Sequence, residues 1–94
     1  MAGRLSPREI ATALETVPLW RLDGNAILRD WTLPDFAAAF ALVGRIALVA
    51  EALDHHPDIA FGWGRVAVSV ATHDAGGLTA LDIELAKRID AVAG

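Results

Sequence analysis

Arg65-Val66-Ala67-Val68-Ser69-Val70-Ala71-Thr72 alternates bulky apolar with small side chains at a period of two. Successive side chains of a β-strand point to opposite faces, so Val66, Val68 and Val70 share one face and Ala67, Ser69 and Ala71 the other. The valine face predicts a packed core, and the opposite face offers a floor of small residues. Upstream lies the most apolar run of the chain, Phe36 to Ala50, broken by Gly44 and Arg45. At helical spacing it carries two adjacent stripes, Phe36-Phe40-Val43-Ala47-Ala50 and Leu42-Ile46-Val49-Leu53. An arc this wide exceeds what a one-sided surface helix needs. The helix is therefore expected to pack on a sheet and still offer area to a partner. The run is shorter than the roughly 20 residues that span a bilayer, so it reads as a buried helix of a soluble protein with no membrane partner.

Helix starts complete the frame. Ser6-Pro7-Arg8-Glu9, Thr32-Leu33-Pro34-Asp35 and Thr79-Ala80-Leu81-Asp82 each set a hydroxyl three residues before a carboxylate. The hydroxyl accepts from a free backbone N–H while the carboxylate reaches back to the cap. Helices over Pro7–Thr16, Leu33–His55 and Ala80–Val92 follow. Leu19–Leu22 and Ala26–Trp31 flank Asp23-Gly24-Asn25, which reads as a hairpin, and a short strand around Phe61–Trp63 precedes Arg65–Thr72. The order α-β-β-α-β-β-α predicts an α+β fold over residues 1–94. In it a four-stranded antiparallel sheet carries helices on one face, in two layers and a single domain.

Composition narrows the function. The chain has 94 residues, 54% of them apolar, and a mean hydropathy of +0.41. That is rich for a small domain with a fully wet surface and points to self-association. Eight Lys and Arg stand against twelve Asp and Glu, scattered with no basic cluster. Direct nucleic-acid binding is therefore not expected. The absence of cysteine removes disulfides, thiolate metal sites and cysteine nucleophiles, and fits a reducing cytoplasm.

The chemistry concentrates on histidine. His55-His56-Pro57 ends the long helix, with His56 at the break because a residue before proline leaves the helical region. Glu51 stands four residues before His55, one turn back on the same face, and is expected to orient or charge-pair with it. Asp54 adjoins the pair. His73 shares odd numbering with Ala67, Ser69 and Ala71, so a continued strand points it over the small-residue floor, a setting suited to a flat ligand. Imidazoles titrate near neutral pH and suit proton transfer. His55 and His56, roughly 100° apart on a helix, are badly placed to share one ion, and no metal is expected. Each histidine also has a plainer reading, as a helix C-terminal or strand-end residue, and Trp20, Trp31 and Trp63 read as core or interface aromatics.

The run Glu51-Ala52-Leu53-Asp54-His55-His56-Pro57, an aromatic at Trp63, Thr72-His73, Gly77-Leu78-Thr79 and Asp82 resembles the signature of pterin-4a-carbinolamine dehydratases. Trp20, Asp23-Gly24 and Asp35-Phe36 fall in the same order, so the resemblance covers nearly the whole chain. It implies an α+β homodimer or homotetramer without metal or bound cofactor. The implied activity is that of a hydro-lyase, turning 4a-hydroxytetrahydropterin into quinonoid dihydropterin plus water. That reaction recycles the pterin of aromatic amino acid hydroxylases. The resemblance assigns His55 and His73 to acid and base, and His56 to orienting the ring. It assigns Glu51, Asp54, Asp82 and Trp63 to binding substrate and placing the imidazoles. Ile59 and Gly62-Trp63-Gly64 depart from the usual pattern, in which an aromatic and a flanked Tyr stand. The competing expectation is a non-catalytic dimerisation or assembly partner on the same fold.

Overall fold

A computed structural model describes residues 3–94, and the architecture follows from where side chains can be buried. The elements run α1 (Pro7–Leu14), β1 (Arg21–Asp23), β2 (Ala26–Thr32), α2 (Phe36–Leu53), β3 (Asp58–Gly62), β4 (Arg65–Val70) and α3 (Ala80–Ala93), with one 3-10 turn at His73–Ala75. The strands form one antiparallel sheet in the order β1-β2-β4-β3. Val66, Val68 and Val70 are buried as the period of two requires, while Ala67 and Ser69 face the open side half-exposed. Against the valines pack Leu42 and Ile46 of α2 and Leu85 and Ile89 of α3, all essentially inaccessible. Fully burying such a side chain contributes about 1.5–3 kcal/mol. This layer therefore dominates the stability. α1 buries no residue completely and leans on the core rim through Ile10, Ala13 and Leu14.

Local chemistry sets the boundaries, and several differ from the sequence expectation, α1 ending at Leu14 and β4 at Val70 among them. The segment before β1 is a turn, with Trp20 N donating to Val17 O, so the strand begins at Arg21 rather than Leu19. Thr32 does not cap α2, because it is spent as the last residue of β2, paired with Arg65. Asp35 caps instead, its carboxylate accepting from Ala38 N at 2.8 Å. β3 starts three residues earlier than expected, at Asp58, and the turn after it needs Gly64 at φ 74°. At the other end of α2, Asp54 adopts the left-handed conformation (φ 51°, ψ 42°), so the helix stops at Leu53, before either histidine. His55 N then donates to Ala50 O, closing the helix end in the manner of a Schellman turn.

α2 is not buried all round. It is long and apolar enough to cross a membrane by length and composition, yet Ala39, Leu42, Ile46 and Ala50 lie in the protein's own core. The other expected stripe divides: Phe36, Phe40 and Ala47 are exposed, Val43 is half-buried and Ala50 belongs to the core, while Leu48, outside both stripes, is exposed as well. Phe36 and Phe40 gather around Phe61 of β3 with ring centroids 5.7 and 6.4 Å away.

Candidate active site

Antiparallel register brings the histidines together at one end of the sheet. β3 begins at Asp58 opposite Ser69, near the end of β4, so the segment His55-His56-Pro57 and the segment Thr72-His73 leave the sheet side by side. The left-handed turn at Asp54 then swings the two imidazoles apart. His55 is turned inward, its side chain 13% exposed, and its Nε2 lies 2.5 Å from Asp82 Oδ1. His56 stays on the surface, its Nε2 bonded to Glu51 Oε2. The expected pairing of Glu51 with His55 is thus replaced by Glu51 with His56. The pairing moves because Asp54 breaks the i, i+4 geometry one residue before it is needed. Asp54 itself is exposed and serves the backbone turn; among the described residues its carboxylate holds neither imidazole.

Asp82 is the centre of the arrangement. It sits in the first turn of α3, completely buried, and a buried carboxylate is tolerated only with its hydrogen bonds filled. Oδ2 accepts from Thr79 N at 2.8 Å, the cap expected from sequence, and from the Thr72 hydroxyl, also at 2.8 Å. Thr72 in turn lies 3.0 Å from the Thr79 hydroxyl. Thr72 and Thr79 are members of the site that the sequence reading passed over as strand end and cap. The signal was present for Thr72: it shares even numbering with the valines and so turns toward the helix layer.

His73 follows directly. β4 ends at Val70, Thr72 bridges to Gly77, and His73 opens the 3-10 turn between them, exposed. Its backbone carbonyl accepts from Gly76 N, while its ring makes no hydrogen bond among the described residues and is free to meet a ligand. Three imidazoles therefore stand at one sheet end in distinct settings: one anchored by a buried carboxylate, one held by a surface carboxylate and one free. Trp63 is elsewhere. It occupies the β3–β4 turn at the opposite end of the sheet, 73% exposed, and within one chain does not join the histidines. Among the described residues no three His, Asp or Glu side chains converge as a metal site would require. A cavity of about 630 Å³ opens between Arg4, Ser6, Leu22, Asn25 and Gly77, but none of the three histidines lines it. Proton-transfer chemistry belongs with the imidazoles rather than with that cavity.

The chain is similar to several known proteins. A curated protein of Chloroflexus aurantiacus, provisionally named pterin-4-alpha-carbinolamine dehydratase, is 48% identical over 91 residues, covering 97% of this chain and 98% of its own. One of Paracoccus denitrificans with the same provisional name is 46% identical, covering 99% and 89%. The crystal structure of a transcriptional coactivator/pterin dehydratase from Brucella melitensis superposes with a TM-score of 0.91 at 41% identity, covering 98% of this chain and all of that one. A pterin dehydratase-like protein described as a RuBisCO assembly factor in the alpha-carboxysome matches with a TM-score of 0.68 at 26% identity, over 80% of this chain and 89% of its own. The family model for pterin 4 alpha carbinolamine dehydratase matches residues 3–92, and the chain belongs to that family.

Proposed function

We propose that this protein dehydrates a 4a-hydroxytetrahydropterin to the quinonoid dihydropterin and water, by acid–base catalysis from His55 and His73. The observation that carries the reading is the anchored imidazole beside a free one. His55 is held by the fully buried Asp82, and Thr72, which holds the same carboxylate, is the neighbour of His73. The reaction needs two proton transfers on opposite sides of one new bond. A proton must reach the C4a hydroxyl so that it leaves as water, and the N5 proton must depart as the C4a=N5 bond forms. Two imidazoles separated by a rigid polar link suit that division. His56, with Glu51, supplies a surface rim for orienting the ring. Water leaves from a carbon that the neighbouring nitrogen lone pair already activates, so the catalytic groups of the protein alone suffice, with no cofactor required.

The same reading has the protein working in the cytoplasm as a homodimer or homotetramer. The exposed Phe36, Phe40 and Leu48 of α2 support self-association, since apolar area of this kind is stabilised by being covered. That surface also favours one competing role, non-catalytic dimerisation or assembly of another protein; the carboxysomal relative is described as an assembly factor. Stopped-flow dehydration of freshly generated 4a-hydroxytetrahydropterin decides between them. The wild type is expected to beat buffer, with His55→Ala and His73→Ala slower by on the order of a hundredfold or more. A wild type no faster than buffer would overturn the catalytic reading.

A further inference from the structure

We infer that Thr72, Thr79 and Asp82 together lock the tautomer of His55, making Nδ1 the nitrogen that exchanges a proton with substrate. The argument is hydrogen-bond bookkeeping around one buried carboxylate. A backbone N–H can only donate, so Thr79 N fixes Asp82 Oδ2 as an acceptor at 2.8 Å. The Thr72 hydroxyl gives its single proton to the same oxygen and accepts from the Thr79 hydroxyl on its lone-pair side. Every donor of the cluster is then committed toward Asp82 or toward the hydroxyl that serves it. Asp82 Oδ1 faces His55 Nε2 at 2.5 Å, and a carboxylate has no proton to give. Nε2 therefore carries hydrogen whether the ring is neutral or cationic, and Nδ1 alone changes protonation. Nδ1 has no hydrogen-bond partner among the described residues, which leaves it open to a ligand.

The consequence deepens the dehydratase reading, on which its activity arm rests. Whichever of the two protons His55 handles, it passes through Nδ1. The ring cycles between neutral and cationic forms while the C4a–O bond breaks and the C4a=N5 bond forms. Thr72 is then a positioning residue, acting on the reaction through Asp82 and His55 and touching neither substrate atom.

Long-range proton–nitrogen NMR correlation reads the His55 tautomer directly, with or without turnover. In the wild type the hydrogen is expected on Nε2. In Asp82→Asn the side-chain oxygen stays where Thr72 and Thr79 donate, so its NH2 points at His55 Nε2. That nitrogen must then accept, and the hydrogen moves to Nδ1. The loss in kcat is expected at roughly a hundredfold to ten-thousandfold, the range seen when a catalytic histidine is held in the wrong tautomer. KM should change far less, because the altered group acts in the transition state. Thr72→Val, which removes one of the two donors that fix Oδ2, is expected to loosen Oδ1 from His55 Nε2, shifting the His55 signals and lowering kcat, and Thr72→Ser, which keeps the hydroxyl, to restore both. A wild-type His55 with its hydrogen on Nδ1, or an Asp82→Asn variant that keeps it on Nε2, overturns the lock. Thr72→Val with the wild-type spectrum and turnover overturns the part given to Thr72. A wild type showing Nε2–H but no dehydration supports the lock and overturns the dehydratase reading instead.

Discussion

Replacing Asp82 by alanine tests whether one buried carboxylate holds both the fold and the site. The side chain is completely inaccessible and accepts three hydrogen bonds, from His55 Nε2 at 2.5 Å and from Thr72 and Thr79 N at 2.8 Å each. Hydrogen bonds to a charged acceptor contribute about 1.5–3 kcal/mol apiece, and a simple sum would overstate the effect because the carboxylate also costs desolvation. What the variant leaves behind decides the size: three donors facing a void, and a helix start without its cap. Removing one partner from a buried charged cluster typically costs about 3–5 kcal/mol, and that is the expected loss. A chain of 94 residues has about 5–14 kcal/mol in total at 0.05–0.15 kcal/mol per residue. Asp82→Ala should therefore be near the edge of folding at 37 °C. Asp82→Asn keeps an acceptor for Thr72 and Thr79 and should lose only about 1–2 kcal/mol. Urea unfolding followed by circular dichroism measures both, with the slope checked for constancy so that the midpoints report stability alone. An Asp82→Ala variant within about 1 kcal/mol of the wild type would refute the network as a structural element.

His73→Ala should separate function from fold: the exposed ring has no hydrogen-bond partner among the described residues, so stability should stay within about 0.5 kcal/mol while dehydration slows a hundredfold or more. Thermal unfolding beside stopped-flow kinetics checks it. Phe40→Glu, at a side chain 63% exposed on the apolar face of α2, should lower the mass of the proposed homo-oligomer in sedimentation velocity without destabilising the chain; an unchanged mass would count against self-association through this helix. Glu84 is lowered from the ordinary carboxyl value chiefly by its hydrogen bond from Arg88, which with the Arg88 and Lys87 charges outweighs the opposing desolvation. A lowered folded value means the contribution is complete above the unfolded carboxyl range and fades as pH falls through the folded one. Arg88→Gln should raise the Glu84 titration midpoint in carbon-detected NMR and flatten that acid limb.

The sheet and its packed face were legible because burial imposes a period. Val66, Val68 and Val70 could face only one way, and the helices had to cover them. Ser6 and Glu9 were legible for a related reason, since a capping box is a contact three residues long and leaves its whole signature in the chain. The end of α2 was not legible. A left-handed Asp54 is a non-glycine residue in a region that glycine usually occupies, and one residue of backbone decided which imidazole met Glu51. The contact between His55 and Asp82 spans 27 residues, and no local spacing encodes a pairing made only when two elements dock on the sheet.

Asp82 shows why cap and site could not be told apart in the sequence. A carboxylate has two oxygens and one rotamer. Oδ2 answers the free N–H of Thr79 at the start of α3, as any capping residue would, and the torsion that satisfies it aims Oδ1 along a single direction. His55 stands in that direction because the turn at Asp54 puts it there. The helix cap therefore fixes the orientation of the His55 imidazole at no further cost in side-chain freedom, since the rotamer is already frozen by the fold. It follows that alanine at this position cannot separate the two roles, because it removes both oxygens. Asparagine can: it leaves the cap an oxygen to accept from while reversing the polarity of the bond to His55, so stability and turnover part company in that variant and in that variant first.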